Sequence, residues 1–231
     1  MQKIDLIALI LFLISWLGYE PILRMTSKKR GTIIKDLTIV RLGWIKTMIN
    51  RDAKIFDANL LGHSINSASF FASANLILIA AIGGALFGGK ISTQLVGQFG
   101  INSFHFQIKM GLVLICLTRG FLNFIWAIRQ MNYCAAAFGA IPQNLSETQV
   151  DKYTIALGNI IEPAMSNFSH GVRGYYFALA AGAWLYGPWF LILGSLGAFA
   201  LLVFRQSKSQ SAKGLRQLRD LIENNFEDKQ H

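Results

Sequence analysis

Acidic residues are scarce in this chain: 12 Asp and Glu stand against 22 Lys and Arg in 231 residues, for a formal net charge of +10. A basic balance can indicate nucleic-acid binding. Here the basic residues flank apolar segments instead of forming a soluble basic domain, which is typical of the cytoplasmic face of a membrane protein. We therefore expect anionic headgroups of membrane lipids as partners, and no nucleic acid.

Cysteines and metal-site spacings are also scarce. The two cysteines, Cys116 and Cys134, lie eighteen residues apart, which along a helix is ~27 Å and beyond disulfide reach. The sequence contains no H-x-x-x-H, H-E-x-x-H or C-x-x-C spacing. Gly83-Gly84 and Gly88-Gly89 lack the Lys and Ser/Thr of a phosphate-binding loop. These absences predict no metal, no cofactor and no enzymatic activity.

Charge is missing altogether from a block near the C-terminus. The 31 residues from Gly174 to Phe204 include no Asp, Glu, Lys, Arg or His. One straight helix of that length would run ~46 Å, against a bilayer core of ~30 Å. The block must therefore kink, tilt strongly or fold back at Gly187-Pro188.

The apolar segments predict an all-α polytopic membrane bundle with four to five transmembrane helices and an amphipathic interfacial helix. We predict one membrane domain, residues 1–205, and a polar tail, residues 206–231, in which Leu215, Leu218 and Ile222 indicate a short surface helix. The predicted spans are 4–23, 64–87, 108–128 and 172–204, the last with a break near 187–188. Small residues in the second span, such as Ala68-x-x-x-Ala72, permit close helix packing, and we expect a homo-oligomer.

Local signals refine these spans. Glu20-Pro21 predicts that the first helix frays or bends there. Ser146-x-x-Gln149 is a capping-box signature that predicts a helix from about Glu147. Pro163 is predicted to end or kink that helix.

The stretch from Arg24 to Asp57 holds nine Lys and Arg against three Asp. Apolar residues recur in it at helical spacing, and polar residues take the opposite face. This pattern predicts an amphipathic helix that lies on lipid headgroups or, equally, packs on the protein's own spans. The apolar positions are Leu37, Val40, Trp44, Met48 and Ile55, and the polar ones are Lys46, Asn50, Lys54 and Asp57.

Cytoplasmic loops collect Lys and Arg, so residues 24–57 are predicted to be cytoplasmic and the N-terminus external. If the last block crosses once, the cytoplasmic side holds 12 Lys and Arg and the other side 9; if it crosses twice, the numbers are 18 and 3. Charge therefore favours five crossings. Length opposes them, because each arm of the block would have only about 16 residues, just under the ~17 that a span needs.

Arg119, at the midpoint of the third span, is the strongest candidate functional residue. Asn123, Trp126 and Gln130 follow at +4, +7 and +11 on one helical face. A charge at mid-bilayer costs at least ~2.5 kcal/mol and is usually tied to function. The stripe could line a polar path or bind an anion, or Arg119 could form an ion pair with Glu20 or Glu162.

Further candidates lie at the ends of the predicted spans. Arg173, with Tyr175 and Tyr176, could grip a phosphate or carboxylate, or anchor the chain at the interface. Arg129 lies at the inner end of the third span. Three more candidates could contact anionic lipid or gate a pore, or form a solvated Arg–Asp pair; they are Arg41, Arg51 and Asp57. His63 and His170 could pair with a carboxylate to relay protons or bind metal.

Three groups of residues resemble, in order, the domain-of-unknown-function 599 family. They are Arg41-x-x-Trp44-x-x-x-Met48-x-x-Arg51, then Trp126-Ala127-x-Arg129-Gln130-x-Asn132-Tyr133, then Phe168-x-x-Gly171-x-Arg173-x-Tyr175-Tyr176. The resemblance runs from Ile4 to Arg205, and departs from the family's pattern at Ser169, where Asn is expected. It implies an integral membrane protein, in bacteria of the inner membrane, and no enzyme.

Three functions are compatible with these residues. The first is a channel-like, transport or solute-sensing protein that uses the intramembrane Arg119. The second is a membrane scaffold that binds anionic lipid through its basic helix. The third, a membrane-embedded enzyme that modifies lipid with His63 or His170, has the weakest support.

Overall fold

The structure, a computed structural model, describes residues 3–27, 33–207 and 209–227. Within these ranges the chain forms helices and turns without a strand, so the predicted all-α class is confirmed. The α-helices are α1 (Lys3–Ser27), α2 (Ile33–Ile49), α3 (Ile55–Phe87), α4 (Lys90–Phe99), α5 (Ser103–Gly139), α6 (Glu147–Ala183), α7 (Pro188–Ser207) and α8 (Gln210–Glu227). A single 3₁₀ turn, Trp184–Tyr186, separates α6 from α7.

Among the described residues, three helical segments are long and apolar enough to cross a membrane: Ile55–Phe87, Ser103–Gly139 and Pro188–Asn224. The first two contain the predicted spans 64–87 and 108–128, and the apolar part of the third is α7. The helices α1 and α6 are not among the three. The structure thus confirms helices of transmembrane length and leaves the number of crossings as a prediction.

Proline proved a poor guide to helix ends. Helix α1 continues through Pro21 to Ser27, and α6 continues through Pro163 to Ala183. Neither proline ends its helix, so the fraying at Pro21 and the end at Pro163 do not occur, while the alternatives, a bend at Pro21 and a kink at Pro163, stay predictions. A proline inside a helix removes one backbone hydrogen bond, and both helices continue beyond it.

The start of α6 follows its capping signal. Its first residue is Glu147, as predicted, and Gln149 Oε1 accepts a hydrogen bond from the backbone N–H of Ser146 at 2.9 Å. This bond is one half of a capping box, which satisfies a donor that has no partner within the helix.

The basic amphipathic helix is shorter than predicted. Helix α2 ends at Ile49, and the N–H of Arg51 bonds to the carbonyl of Met48 at 3.1 Å in the turn that follows. Ile55 and Asp57, which were predicted on the same helix as Trp44, therefore belong to α3. The predicted helix in the tail is confirmed by α8.

The chain divides into two compact units. Unit 1 comprises residues 1–25, 69–125 and 168–202, and unit 2 comprises residues 26–68, 126–167 and 203–231. Helices α3, α5 and α6 contribute a segment to each unit.

In unit 1 the uncharged block folds back on itself. Gly187 has a φ of 137° and lies between the 3₁₀ turn and α7. A Cβ built on Gly194 would lie 3.1 Å from the Cα of Ala180. These two residues stand seven positions after and before Gly187, so the end of α6 and the start of α7 are antiparallel and in contact. The first arm is the end of α6, a helix of 37 residues that begins well before the uncharged block.

In unit 2, ion pairs hold α2 against α6 and α8. Arg41 donates to Glu162 Oε1 at 2.9 Å, and Lys46 to Asp151 Oδ1 at 2.7 Å. Arg219 on α8 donates to Asp36 Oδ1 at 2.7 Å. Of the two interpretations of this amphipathic helix, the structure supports packing on the protein's own helices.

Candidate functional site

The candidate site begins with a close contact between two helices of unit 1. A Cβ on Gly174 of α6 would lie 3.2 Å from the Cα of Gly120 on α5. Only residues without a side chain let two backbones approach this closely. Each glycine directly follows an arginine, so the contact brings Arg119 and Arg173 to the same place.

Both arginines line a small cavity of about 50 Å³. At ~10–15 Å³ for each water molecule, this volume has room for about three to five waters. The described residues that line it include two arginines, one histidine and one asparagine, and none of them is acidic. They are Trp16, Leu17, Tyr19, Cys116, Arg119, Gly120, Asn123, His170, Arg173, Gly174 and Phe177.

Helix α1 supplies an aromatic ring to each arginine. The guanidinium of Arg119 lies 5.2 Å from the ring centroid of Trp16, and that of Arg173 lies 5.1 Å from the ring of Tyr19. Trp16 and Tyr19 are three residues apart and therefore share a helical face. Cation–π contact holds a guanidinium over a ring without neutralising its charge.

The two arginines differ in exposure. Arg173 is buried, at 8% of its accessible surface, whereas Arg119 is exposed. The cavity therefore has an accessible arginine at its rim and a buried one within. An anion could reach Arg119 first and be desolvated beside Arg173.

Buried polar and aromatic contacts fix the helices around this cavity. Asn75 of α3, 1% exposed, donates through Nδ2 to the carbonyl of Leu117 on α5 at 3.0 Å. Tyr175 donates to the carbonyl of Phe71 at 2.8 Å. Phe71 also stacks on Phe124, with centroids 5.7 Å apart. These contacts set the positions of α3, α5 and α6, on which the cavity depends.

The structure brings three predicted site residues together and separates the others. Arg119, Asn123 and Arg173 line the cavity. Tyr175 and Tyr176 do not line it, although both are half-buried in the same unit. Tyr175 instead holds α6 to α3 through Phe71. Of the predicted polar stripe on α5, only the first two residues, Arg119 and Asn123, are among the residues that line this cavity.

The rest of that stripe belongs to unit 2. Gln130 accepts a hydrogen bond from Asn167 at 2.7 Å. Arg129 lies 5.6 Å from the ring of Trp126 and 5.9 Å from that of Tyr133, both on its own helix. These contacts are helix packing and surface stacking.

The candidates near α2 are engaged in ion pairs within unit 2. Asp57 is fully buried and accepts hydrogen bonds from Arg51 at 2.6 Å and from Trp44 Nε1 at 2.7 Å. Glu162 binds Arg41 at 2.9 Å and Thr38 at 2.9 Å. This engagement makes Arg41, Arg51 and Asp57 packing residues. Glu20, the other carboxylate considered as a partner of Arg119, has its side chain outside the described part of the chain.

Sequence reasoning missed the contribution of α1 to the site. Trp16 and Tyr19 had a usable signal, because aromatic residues spaced i, i+3 present one face. His170 was considered for proton relay or metal binding, and it lies on the cavity wall with Arg173 one turn away. In the described ranges no three His, Cys, Asp or Glu residues cluster as a metal site.

A second, larger cavity of about 410 Å³ lies elsewhere in unit 1. Trp184 Nε1 donates to Asp5 Oδ1 at 3.0 Å, and Lys109 Nζ donates to the Trp184 carbonyl at 2.9 Å. His105 also lines this cavity. The start of α1, the start of α5 and the 3₁₀ turn therefore meet at one place.

Comparison with known proteins identifies the family. No curated protein and no solved structure matches the chain. A family model described as "Protein of unknown function, DUF599" matches residues 7–211. That range contains Arg119 and Arg173, the contacting Gly120 and Gly174, and the three motif groups on which the family resemblance rests. The chain belongs to the DUF599 family.

Proposed function

We propose that this protein crosses a membrane five times, in the bacterial inner membrane that the family resemblance implies, with its N-terminus outside and α2 and α8 on the cytoplasmic side. In unit 1, three segments that this topology places outside meet at Trp184: the start of α1, the start of α5 and the turn before α7. In unit 2, two segments that it places inside meet where Arg219 binds Asp36. A single crossing of the last block would put those two residues on opposite sides.

The surface of unit 1 supports insertion into lipid. Large apolar side chains are exposed on several of its helices, including Phe70 at 70%, Ile77 at 69%, Leu179 at 75% and Leu193 at 65%. Asn75, in contrast, is buried. Exposed apolar surface with polar groups inside is stable where the surrounding medium is hydrocarbon.

The proposed activity is the binding of a small anion at the cavity between Arg119 and Arg173, for its passage or for sensing. The observation that carries this proposal is the Gly120–Gly174 contact, which brings Arg119 and Arg173 to one cavity. Guanidinium groups at a cavity can donate charge-assisted hydrogen bonds to a small anion, with more than one N–H from each group.

The alternative of a scaffold that binds anionic lipid through α2 loses support. That alternative needs Arg41, Lys46 and Arg51 to face headgroups. Each of the three donates to a carboxylate of unit 2 at 2.9, 2.7 and 2.6 Å respectively. Cations that are already paired gain little from a second anion.

The test compares Arg119→Gln with Arg129→Gln. Both arginines are exposed residues of α5 that stack on a tryptophan ring, but Arg119 alone of the two lines the cavity. Purified protein would be titrated with chloride, inorganic phosphate and acetate by calorimetry, and flux of the same anions would be measured in liposomes. The two readouts separate binding from transport.

We expect Arg119→Gln to weaken binding of the preferred anion about tenfold or more, because one charge-assisted hydrogen bond contributes ~1.5–3 kcal/mol. Arg129→Gln should bind like the unaltered protein. Unchanged binding by a folded Arg119→Gln variant, or equal losses in both variants, would overturn the proposal. Binding without flux would assign the site to sensing.

A further inference from the structure

A groove in unit 2 lies between the start of α3 and the end of α5. Its volume is about 430 Å³, within the ~300–1,000 Å³ of small-molecule sites. Its floor is apolar and includes Leu61, Ile65 and Phe138. Its rim is polar and carries Asp52, Lys54 and Gln143. An apolar floor below a charged rim fits an amphiphile.

The middle of the groove is open. Gly62 lies on its wall, and a Cβ built there would meet no atom within 4 Å. A glycine inside a helix lowers helix stability by about 0.5–1 kcal/mol relative to Ala. A larger side chain at this position would therefore occupy open space at the groove wall.

The two rim charges make no ion pair or side-chain hydrogen bond with any described residue. They stand two positions apart in the loop between α2 and α3, where the N–H of Ala58 bonds to the backbone carbonyl of Lys54 at 3.0 Å. Asp52 is exposed and Lys54 half-buried. The neighbouring Arg51, in contrast, forms an ion pair with Asp57.

Exposed apolar residues next to the rim indicate the surrounding medium. Ile55 and Phe56, in the first turn of α3, are 74% and 60% exposed. Large apolar side chains at a helix end beside charged residues are typical of a membrane interface. The amphiphile available there is a lipid, whose headgroup would lie at the level of the rim.

We propose that this groove binds a zwitterionic phospholipid. Lys54 would bind the phosphate and Asp52 the ammonium group, so that both rim charges are complemented. An acyl chain would lie along Leu61, Ile65 and Phe138. A headgroup with a phosphate and no ammonium would leave Asp52 uncompensated beside a second negative charge. This proposal is independent of the anion cavity, which lies in unit 1.

The experiment measures lipid binding by native mass spectrometry of the purified full chain in detergent. The probes are palmitoyl-oleoyl phosphatidylethanolamine, which is zwitterionic, and palmitoyl-oleoyl phosphatidylglycerol, which is anionic. The groove is blocked with Gly62→Leu. The matched control is Gly83→Leu on the same helix, where a Cβ also meets nothing within 4 Å and which does not line this groove. Both substitutions favour helix formation, so the variants should fold.

We expect Gly62→Leu to lower the bound ethanolamine lipid about tenfold, and Gly83→Leu to leave it unchanged. Lys54→Ala should weaken both lipids, whereas Asp52→Asn should weaken the ethanolamine lipid and strengthen the glycerol lipid. Lys152→Ala, which removes an exposed charge of α6 outside the groove, should change neither. Full ethanolamine-lipid binding by Gly62→Leu would overturn the proposal, as would a preference of the unaltered protein for the anionic lipid.

Discussion

Arg219 donates a hydrogen bond of 2.7 Å to the buried carboxylate of Asp36, 183 positions earlier in the chain. Arg216 adds a second cation, 3.7 Å from the other oxygen of the same carboxylate. A fully buried carboxylate is stable only when it is paired, so α2 and α8 form one structural element of unit 2. The proposed five crossings place both of these helices on the same side of the membrane, as this contact requires.

The first prediction tests that topology. In a background without Cys116 and Cys134, single cysteines would be placed at the exposed positions Gln98, Lys152 and Lys213. A membrane-impermeant maleimide should label Gln98→Cys in intact cells. It should label Lys152→Cys and Lys213→Cys only after permeabilisation. Labelling of Lys213→Cys in intact cells would instead support four crossings.

The second prediction concerns the two kinds of ion pair in unit 2. Asp57→Ala would remove the buried acceptor that the half-buried Arg51 and the N–H of Trp44 share, and a hydrogen bond to a charged group contributes ~1.5–3 kcal/mol. Asp151→Ala would break an exposed pair with Lys46, worth ~0.2–1 kcal/mol. Thermal unfolding in detergent should show a large loss for the first variant and a small one for the second. If the two variants lost equal thermal stability, burial would not determine how much each ion pair contributes to stability.

The third prediction concerns the glycines of α6. A Cβ on Gly171 would lie 2.6–2.7 Å from three atoms of the buried Phe124 ring. Overpacking of this kind costs ~1–3 kcal/mol. Gly171→Ala should therefore lower the unfolding temperature and weaken anion binding, because the cavity depends on the same helix contact.

The control for this prediction is Gly182→Ala on the same helix, where a Cβ meets nothing within 4 Å. Helix propensity alone should make that variant more stable by ~0.5–1 kcal/mol. If Gly171→Ala were as stable as Gly182→Ala, the close contact with Phe124 would not be a packing constraint.

Local and compositional features of the fold were predictable. Ser146 and Gln149 signalled the start of α6 through side-chain chemistry that acts within one turn. Gly187-Pro188 signalled the turn in the uncharged block, because length alone required a break. The prolines did not mark helix ends, because the cost of one lost hydrogen bond depends on how the rest of the helix packs, and sequence spacing does not reveal packing.

The site was predictable only in part. Arg119 and Arg173 were each identified from position and chemistry. Both arginines line one cavity because Gly120 and Gly174 are in contact. No local sequence pattern predicts which glycines of two helices will pack against each other. Asp57 was misassigned for a related reason: its partner Trp44 lies on another helix, while the periodicity that joined them in sequence runs through the turn after Ile49.

On each of the two contacting helices, α5 and α6, the cavity-lining arginine directly precedes the contacting glycine. The spacing of the two helices therefore sets both the width of the cavity and the separation of the two positive charges. If the cavity binds an anion as proposed, moving the helices apart would admit a larger anion and weaken its attraction to the two guanidinium groups, because Coulomb energy falls with distance. Under that proposal, ion size and binding strength are coupled through the backbone contact.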